Sequence, residues 1–201
     1  VGNHLIDVRT VGHAKLANHM ATEYRLTWDT LRVIYAGTDV GRIQDSASLR
    51  HGQLHEICQI RPDGPIVTFV GRFTAQKRPE VFVRSVAKCL ELNPACNAHF
   101  AMIGDGESRP AVEQLVAETG LQKRIHLLGA RTNATDLLAD STLLMMPSAY
   151  EGLALVSYEA MALGVPQIFA DVGGQSELIT PETGILLNNG PGEEVRYAEA
   201  C

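Results

Sequence analysis

From Ile66 onward the sequence alternates without a break between short apolar runs and longer mixed runs, and no other feature constrains the fold as strongly. The runs Ile66 to Gly71, His99 to Ile103, Ile125 to Leu128, Leu143 to Met146, Gln167 to Ala170 and Gly184 to Leu187 have the length and punctuation of strands. Between them, Pro79 to Leu92, Pro110 to Thr119, Asp136 to Ala139, Leu155 to Leu163 and Ser176 to Ile179 read as helices or helical turns, and Glu193 to Cys201 reads as the opening of one more. Strands that are apolar on both faces must be covered on both faces, and strands joined through helices run parallel. The expected fold class is therefore α/β, a doubly wound, Rossmann-like parallel sheet with helices on both sides. Ligands in that architecture bind at the carboxyl ends of the strands.

One strand, loop and helix unit carries the most chemical information. It runs from Leu143 through Pro147-Ser148-Ala149-Tyr150-Glu151-Gly152 into a helix over Leu155 to Leu163 that Gly164 and Pro166 end. The first N–H groups of such a helix have no backbone partner and point to the carboxyl edge of the sheet, where they can hold an anion. Glu151 and Glu159 bracket the helix start with seven residues between them. A carboxylate beside an anion would repel it, so each is better suited to accept hydrogen bonds from neutral hydroxyls, as on a sugar or ribose. Either glutamate taken alone has a plainer explanation, as a residue near a helix N-terminus or as a solvated helix position.

Cations are needed as well, because the chain as a whole is acidic. Its 201 residues carry a formal net charge of -6, which argues against a nucleic-acid surface and leaves any phosphate to a few local partners. Arg72 ends the first strand and Lys77 follows five residues later, both where the fold presents ligands. Arg78, beside them, reads as solvated.

The order of motifs resembles the donor-binding half of glycosyltransferase family 4, retaining enzymes of the GT-B fold. The resemblance rests on Pro147-Ser148-x-x-Glu151-Gly152, then Glu159-Ala160-Met161-Ala162-x-Gly164-x-Pro166, then Gly173-Gly174-x-x-Glu177, with Val70-Gly71-Arg72, Lys77 and Gly104-Asp105-Gly106 upstream. It covers roughly Ile34 to Leu187. It implies that Gly71, Arg72 and Lys77 face the diphosphate of a nucleotide sugar and that Glu151 touches the transferred sugar. Glu159 would bind the ribose diol, Gly152 and the backbone of Leu153, Ala154 and Leu155 the distal phosphate, and the loop containing Arg131 the base. It further implies transfer from a UDP- or GDP-sugar to a glycan or lipid-linked acceptor, with retention of anomeric configuration and no cofactor. No Asp-x-Asp occurs in the chain, so metal independence is expected. Ser157-Tyr158 departs from the small or Pro and aliphatic residues more frequent there, which puts the shape of the ribose side of the pocket in doubt.

Upstream, Val11 to Tyr24 is amphipathic and Leu31 to Tyr35 reads as a short strand closed by Ala36-Gly37-Thr38-Asp39. By resemblance, 1–61 is the end of an N-terminal domain and the connector, and 62–201 is the donor-binding domain, the chain being truncated at both ends. Catalysis would then need the missing N-terminal domain, which holds the acceptor. His51 and His55 lie one helical turn apart in a polar segment read as one solvated helix, Asp45 to Cys58; without a third ligand or a His-Glu-x-x-His order, the zinc reading is set aside. His99 and His126 fall in strands and receive no role.

The remaining features bound the setting. The four cysteines form no Cys-x-x-Cys pair and show no metal-ligand spacing, so free thiols in a reducing compartment are expected. No run of about twenty apolar residues occurs and the N-terminus lacks a signal-peptide pattern, which suggests a cytoplasmic site, with peripheral membrane contact if the acceptor is a lipid. Other classes share this architecture. A dinucleotide-dependent oxidoreductase is disfavoured because Arg109 replaces the third glycine of Gly104-x-Gly106, and a P-loop NTPase lacks its Gly-Lys. A sugar-nucleotide epimerase of similar fold and a non-catalytic nucleotide-sugar module remain as alternatives.

Overall fold

The computed structural model describes residues 8–201. The first seven residues of the stretch expected to be a domain end and connector lie outside the described residues. The chain then forms β1 (Arg9–Val11), α1 (Ala14–Glu23), a short 3-10 turn (Trp28–Thr30) and β2 (Leu31–Val33), with β1 and β2 paired in parallel as a sheet of their own. The strand at β1 was not anticipated, since three residues show no periodicity. Two helices follow, α2 (Val40–Ser48) and α3 (Gln53–Cys58).

From Ile66 the alternation becomes β3 (Ile66–Val70), α4 (Pro79–Leu92), β4 (His99–Ile103), α5 (Arg109–Glu118), β5 (Ile125–Gly129), α6 (Ala134–Leu138) and β6 (Leu143–Met146). It continues through α7 (Leu155–Leu163), β7 (Gln167–Ala170), a 3-10 turn (Gln175–Glu177), β8 (Gly184–Leu187) and α8 (Glu193–Ala200). All six strands of the main sheet run parallel in the order β5-β4-β3-β6-β7-β8. The chain enters at the centre, winds outward through β4 and β5, then returns to place β6 beside β3 and winds outward the other way. The connections after β3 and β6 therefore leave adjacent strands toward opposite faces of the sheet, and such a reversal point is where doubly wound sheets bind ligands.

Both faces of the sheet are covered. Helix α4 packs against α8 and α5 on one face, and α2, α6 and α7 pack together on the other. The main core joins Phe69, Phe73, Phe82, Phe100, Met145 and Tyr197, among others. Phe69 meets Phe73 and Phe82 edge-on, with ring centroids 5.8 and 5.7 Å apart, contacts worth roughly 0.5–1.5 kcal/mol each beyond burial. A second cluster places Leu54 and Cys58 of α3 against Ile66, Ala101, Ile103 and Leu137. Burial pushes the Cys58 thiol up to about 11. Among the described residues no helix is long and apolar enough to cross a membrane.

Two expectations are corrected here. The segment Asp45 to Cys58 is not one solvated helix but a break between α2 and α3, with His51 in the turn. The break is held by Asp140, whose carboxylate accepts from the Gly52 and Leu54 amides at 2.7 and 2.9 Å and lies 2.9 Å from His51 Nδ1. His55 is buried, with Nε2 3.0 Å from the Gly64 carbonyl, so the two histidines face different partners. Arg78 is not a solvated neighbour either: it is mostly buried and paired with Glu193 at the start of α8, fastening α8 to the loop ahead of α4.

Candidate functional site

The candidate crevice is set by the two loops that leave β3 and β6. Hydrogen bonds tie them together: the Ala149 amide donates to the Gln76 carbonyl at 2.7 Å, and the Gln76 side chain donates to the Tyr150 carbonyl at 3.1 Å. On the β3 side, Gly71 lets the Lys77 stem lie close, since a Cβ there would sit 3.6 Å from Lys77 Cδ and Cε. The Gly104-Asp105-Gly106 turn supports this loop from behind. A Cβ on Gly104 would fall 1.8 Å from the Gly71 carbonyl oxygen, and the Phe73 amide donates to the Asp105 carbonyl at 2.9 Å. The glycines of that turn thus serve close backbone packing.

Arg72 projects into solvent, whereas Lys77 turns inward, with its side chain 17% exposed. Its ammonium lies 2.5 Å from the Glu151 carboxylate, which is 6% exposed. The cation and the acid assigned to different parts of a ligand therefore neutralise each other across the crevice, a pairing that their separation in sequence gave no means to foresee.

The sequence offers the start of α7 as a candidate anion site. No side chain caps it, its first turn has no acidic residue, and Ala154 leads in with an extended backbone. Gly152 is exposed and a Cβ on it would meet nothing within 4 Å. Leu153 is partly buried, Ala154 is buried in the core and Leu155 is exposed, so this stretch is anchored by Ala154. The loop is pressed from the other side by Gly173-Gly174. Gly173 has φ +58, a Cβ there would fall 1.7 Å from the Glu151 carbonyl oxygen, and the Gly174 amide donates to the Gly152 carbonyl at 2.9 Å.

Glu159 lies one turn inside α7 and opens onto a neighbouring cleft of about 430 Å³. Its walls are Thr132, Asn133, Thr135 and Asp136 on one side and Gly37, Thr38, Asp39 and Arg42 on the other. Burial raises the Glu159 carboxyl above its usual range, opposed in part by a hydrogen bond from Thr135. Arg131 adjoins this cleft through Thr132; it is exposed, and its Nε donates to the Leu128 carbonyl at 3.0 Å. The wall from Gly37 to Arg42 escaped the sequence reading, although its Gly-x-Asp turn was visible there. A larger cleft of about 670 Å³, lined by Gln44, His51, Met161 and Gly164, lies at the other end of α7, away from the carboxyl edge. Among the described residues no group of three or more His, Cys, Asp or Glu is arranged to hold a metal ion.

A family model described as "Glycosyl transferases group 1" matches residues 64–201. The D-inositol 3-phosphate glycosyltransferase of Nocardia farcinica is 32% identical over 184 residues, covering 87% of this chain and 40% of that protein. Alpha-D-kanosaminyltransferase of Streptomyces kanamyceticus is 31% identical over 159 residues, covering 78% and 40%. The structure of Anabaena Alr3699/HepE in complex with UDP superposes with a TM-score of 0.80 at 22% identity, over 99% of this chain and 55% of that one, a likeness of fold. The chain thus spans about two-fifths of the length of these curated relatives.

Proposed function

Because the chain belongs to the group 1 glycosyl transferases and has the Rossmann-like fold of a GT-B half, we propose that it binds the nucleotide-sugar donor of a retaining glycosyltransferase. The donor is a UDP- or GDP-sugar and the acceptor a glycan or a lipid-linked sugar. The enzyme works in the cytoplasm, at a membrane surface where the acceptor is a lipid, and without a cofactor or metal.

The single observation that supports this reading is that the Lys77–Glu151 pair and the uncapped start of α7 lie together at the β3–β6 reversal point, with Arg72 exposed at the end of β3. In the proposed complex Arg72 and Lys77 hold the diphosphate, Gly71 and Gly152 allow it to approach the backbone, and the amides of Leu153, Ala154 and Leu155 meet the distal phosphate. Glu151 receives hydroxyls of the transferred sugar. Glu159 receives the ribose diol in its cleft, and the base lies toward Arg131.

The chemistry follows from where charge develops. As the sugar–oxygen bond breaks, electrons collect on the departing phosphate and the anomeric carbon becomes cationic, so fixed cations and N–H dipoles at the phosphate stabilise the transition state more than the ground state. Each charge-assisted hydrogen bond of this kind is worth roughly 1.5–3 kcal/mol, or about a tenfold change in rate or more. The acceptor oxygen attacks the face the phosphate leaves, and the phosphate takes the acceptor proton. No carboxylate serves as nucleophile.

The test is calorimetric titration with UDP, GDP and ADP, alone and as sugar conjugates. Binding of at least one diphosphate and much weaker binding of its nucleoside are expected. Equal affinity for nucleoside and diphosphate would remove the phosphate site from the account.

A further inference from the structure

The strongest unassigned constellation joins Glu177 to Ala14, Lys15 and Tyr35, which lie 142 to 163 residues away. The Glu177 carboxylate accepts from the Ala14 amide at 2.8 Å and the Lys15 amide at 2.7 Å, and the Tyr35 hydroxyl donates to it at 2.8 Å. His13 Nδ1 stands 3.6 Å away. Helix α1 has no acidic residue in its own first turn, so Glu177 supplies the negative charge its N-terminus favours.

The same turn is wedged against the crevice. The Glu177 amide donates to the Gly174 carbonyl at 2.8 Å, and the Gly174 amide donates to the Gly152 carbonyl at 2.9 Å. A Cβ on Gly174 would fall 2.6 Å from His13 Cγ, and one on Gly173 would fall 1.7 Å from the Glu151 carbonyl oxygen. From α1 to Glu151 there is consequently an unbroken run of short contacts with no room for a side chain at either glycine.

We propose that Glu177 is a positioning residue for donor binding: by gripping the N-terminus of α1 it fixes the Gly173-Gly174 turn, which in turn sets the Glu151–Gly152 loop that faces the phosphate. The proposal rests on the donor-site reading above. Burial would raise the Glu177 carboxyl, but the hydrogen bonds from Lys15, Ala14 and Tyr35 and the nearby His13 outweigh it and hold the group down at about 2, so the grip is ionised at any physiological pH.

Linkage makes the proposal testable from the far side of the clamp. If the clamp favours the binding-competent loop, a bound diphosphate must tighten the clamp by the same factor. The experiment measures amide hydrogen exchange of the wild-type chain with and without whichever of UDP, GDP or ADP binds it, and repeats this for Glu177→Gln. Binding should slow exchange at Ala14 and Lys15 about fivefold or more, although neither lies in the crevice. Glu177→Gln should weaken the diphosphate by a similar factor, abolish that protection and speed exchange at Gly174, while Tyr35→Phe gives a partial effect. Binding with unchanged exchange at Ala14 and Lys15, or an unchanged Kd in Glu177→Gln, overturns the proposal and leaves the donor site standing. No binding of any diphosphate overturns the donor site, and the proposal with it. Should Glu177→Gln fail to fold, the wild-type comparison still decides.

Discussion

Lys77 and Glu151 meet at 2.5 Å across the crevice, each from a different loop of the β3–β6 reversal point, and both are largely withdrawn from water. In the proposed complex a ligand phosphate would gain a cation that is already fixed in place, and Glu151 would be released to accept sugar hydroxyls. The pair therefore acts as a ligand-ready arrangement, and its dissection should be unequal in the two directions.

Lys77→Met strands the Glu151 carboxylate in a buried position. The variant is expected to lose about 2–3 kcal/mol of stability in urea denaturation, and adding Glu151→Gln should restore most of it. Additive losses in the double variant would show that the two residues do not depend on each other.

Arg72 makes the contrasting case. It is exposed, so Arg72→Ala should change stability by no more than about 0.5 kcal/mol. Diphosphate affinity should nevertheless fall about tenfold with nucleoside affinity unchanged, which calorimetry resolves.

The two glycines that flank the loop separate packing from binding. Gly173→Ala puts a methyl group on the Glu151 carbonyl at a left-handed backbone position and should cost both stability and diphosphate binding. Gly152→Ala meets no protein atom, so the melting temperature should hold while diphosphate affinity falls. Unaltered affinity in Gly152→Ala would place the phosphate elsewhere.

Glu159 predicts a pH dependence of definite sign. Its folded pKa is raised from 4.5 by burial, so the folded state keeps a proton that the unfolded state has released, and stability falls as pH rises from 4.5 through the folded value. Glu159→Gln should remove that decline. The nucleoside of whichever diphosphate binds, which has no phosphate to titrate, should bind the wild type more tightly as pH rises through the same window, because its ribose diol donates to the carboxylate. A flat profile is expected for the variant, and loss of 2′-deoxynucleoside binding equal to that of the ribonucleoside would argue against the diol.

The sheet was legible in the sequence because its signals are local. The limits of β4, β6, β7, β8, α4 and α7 follow directly from apolar run length and from Pro79, Gly164 and Pro166. Motif order assigned Arg72, Lys77 and Glu151 to the loops after two strands, and the fold places those loops after β3 and β6, with Glu159 one turn inside α7. What stayed hidden depends on distance in space. The Lys77–Glu151 pair spans 74 residues and the Glu177–Ala14 clamp spans 163, and neither leaves a periodic trace. Arg78 reads as solvated for the same reason, since its partner Glu193 comes from α8, and His55 because the turn at Gly64 folds back onto it.

The most direct test of the central claim is amide chemical-shift mapping of the 201-residue chain during titration with UDP, GDP or ADP. The account predicts that the largest changes fall on Gly71 to Lys77 and Glu151 to Val156, with smaller ones around Glu159 and Arg131. Changes confined to the larger cleft at Gln44, His51 and Met161 to Gly164, or no saturable change with any diphosphate, would contradict it.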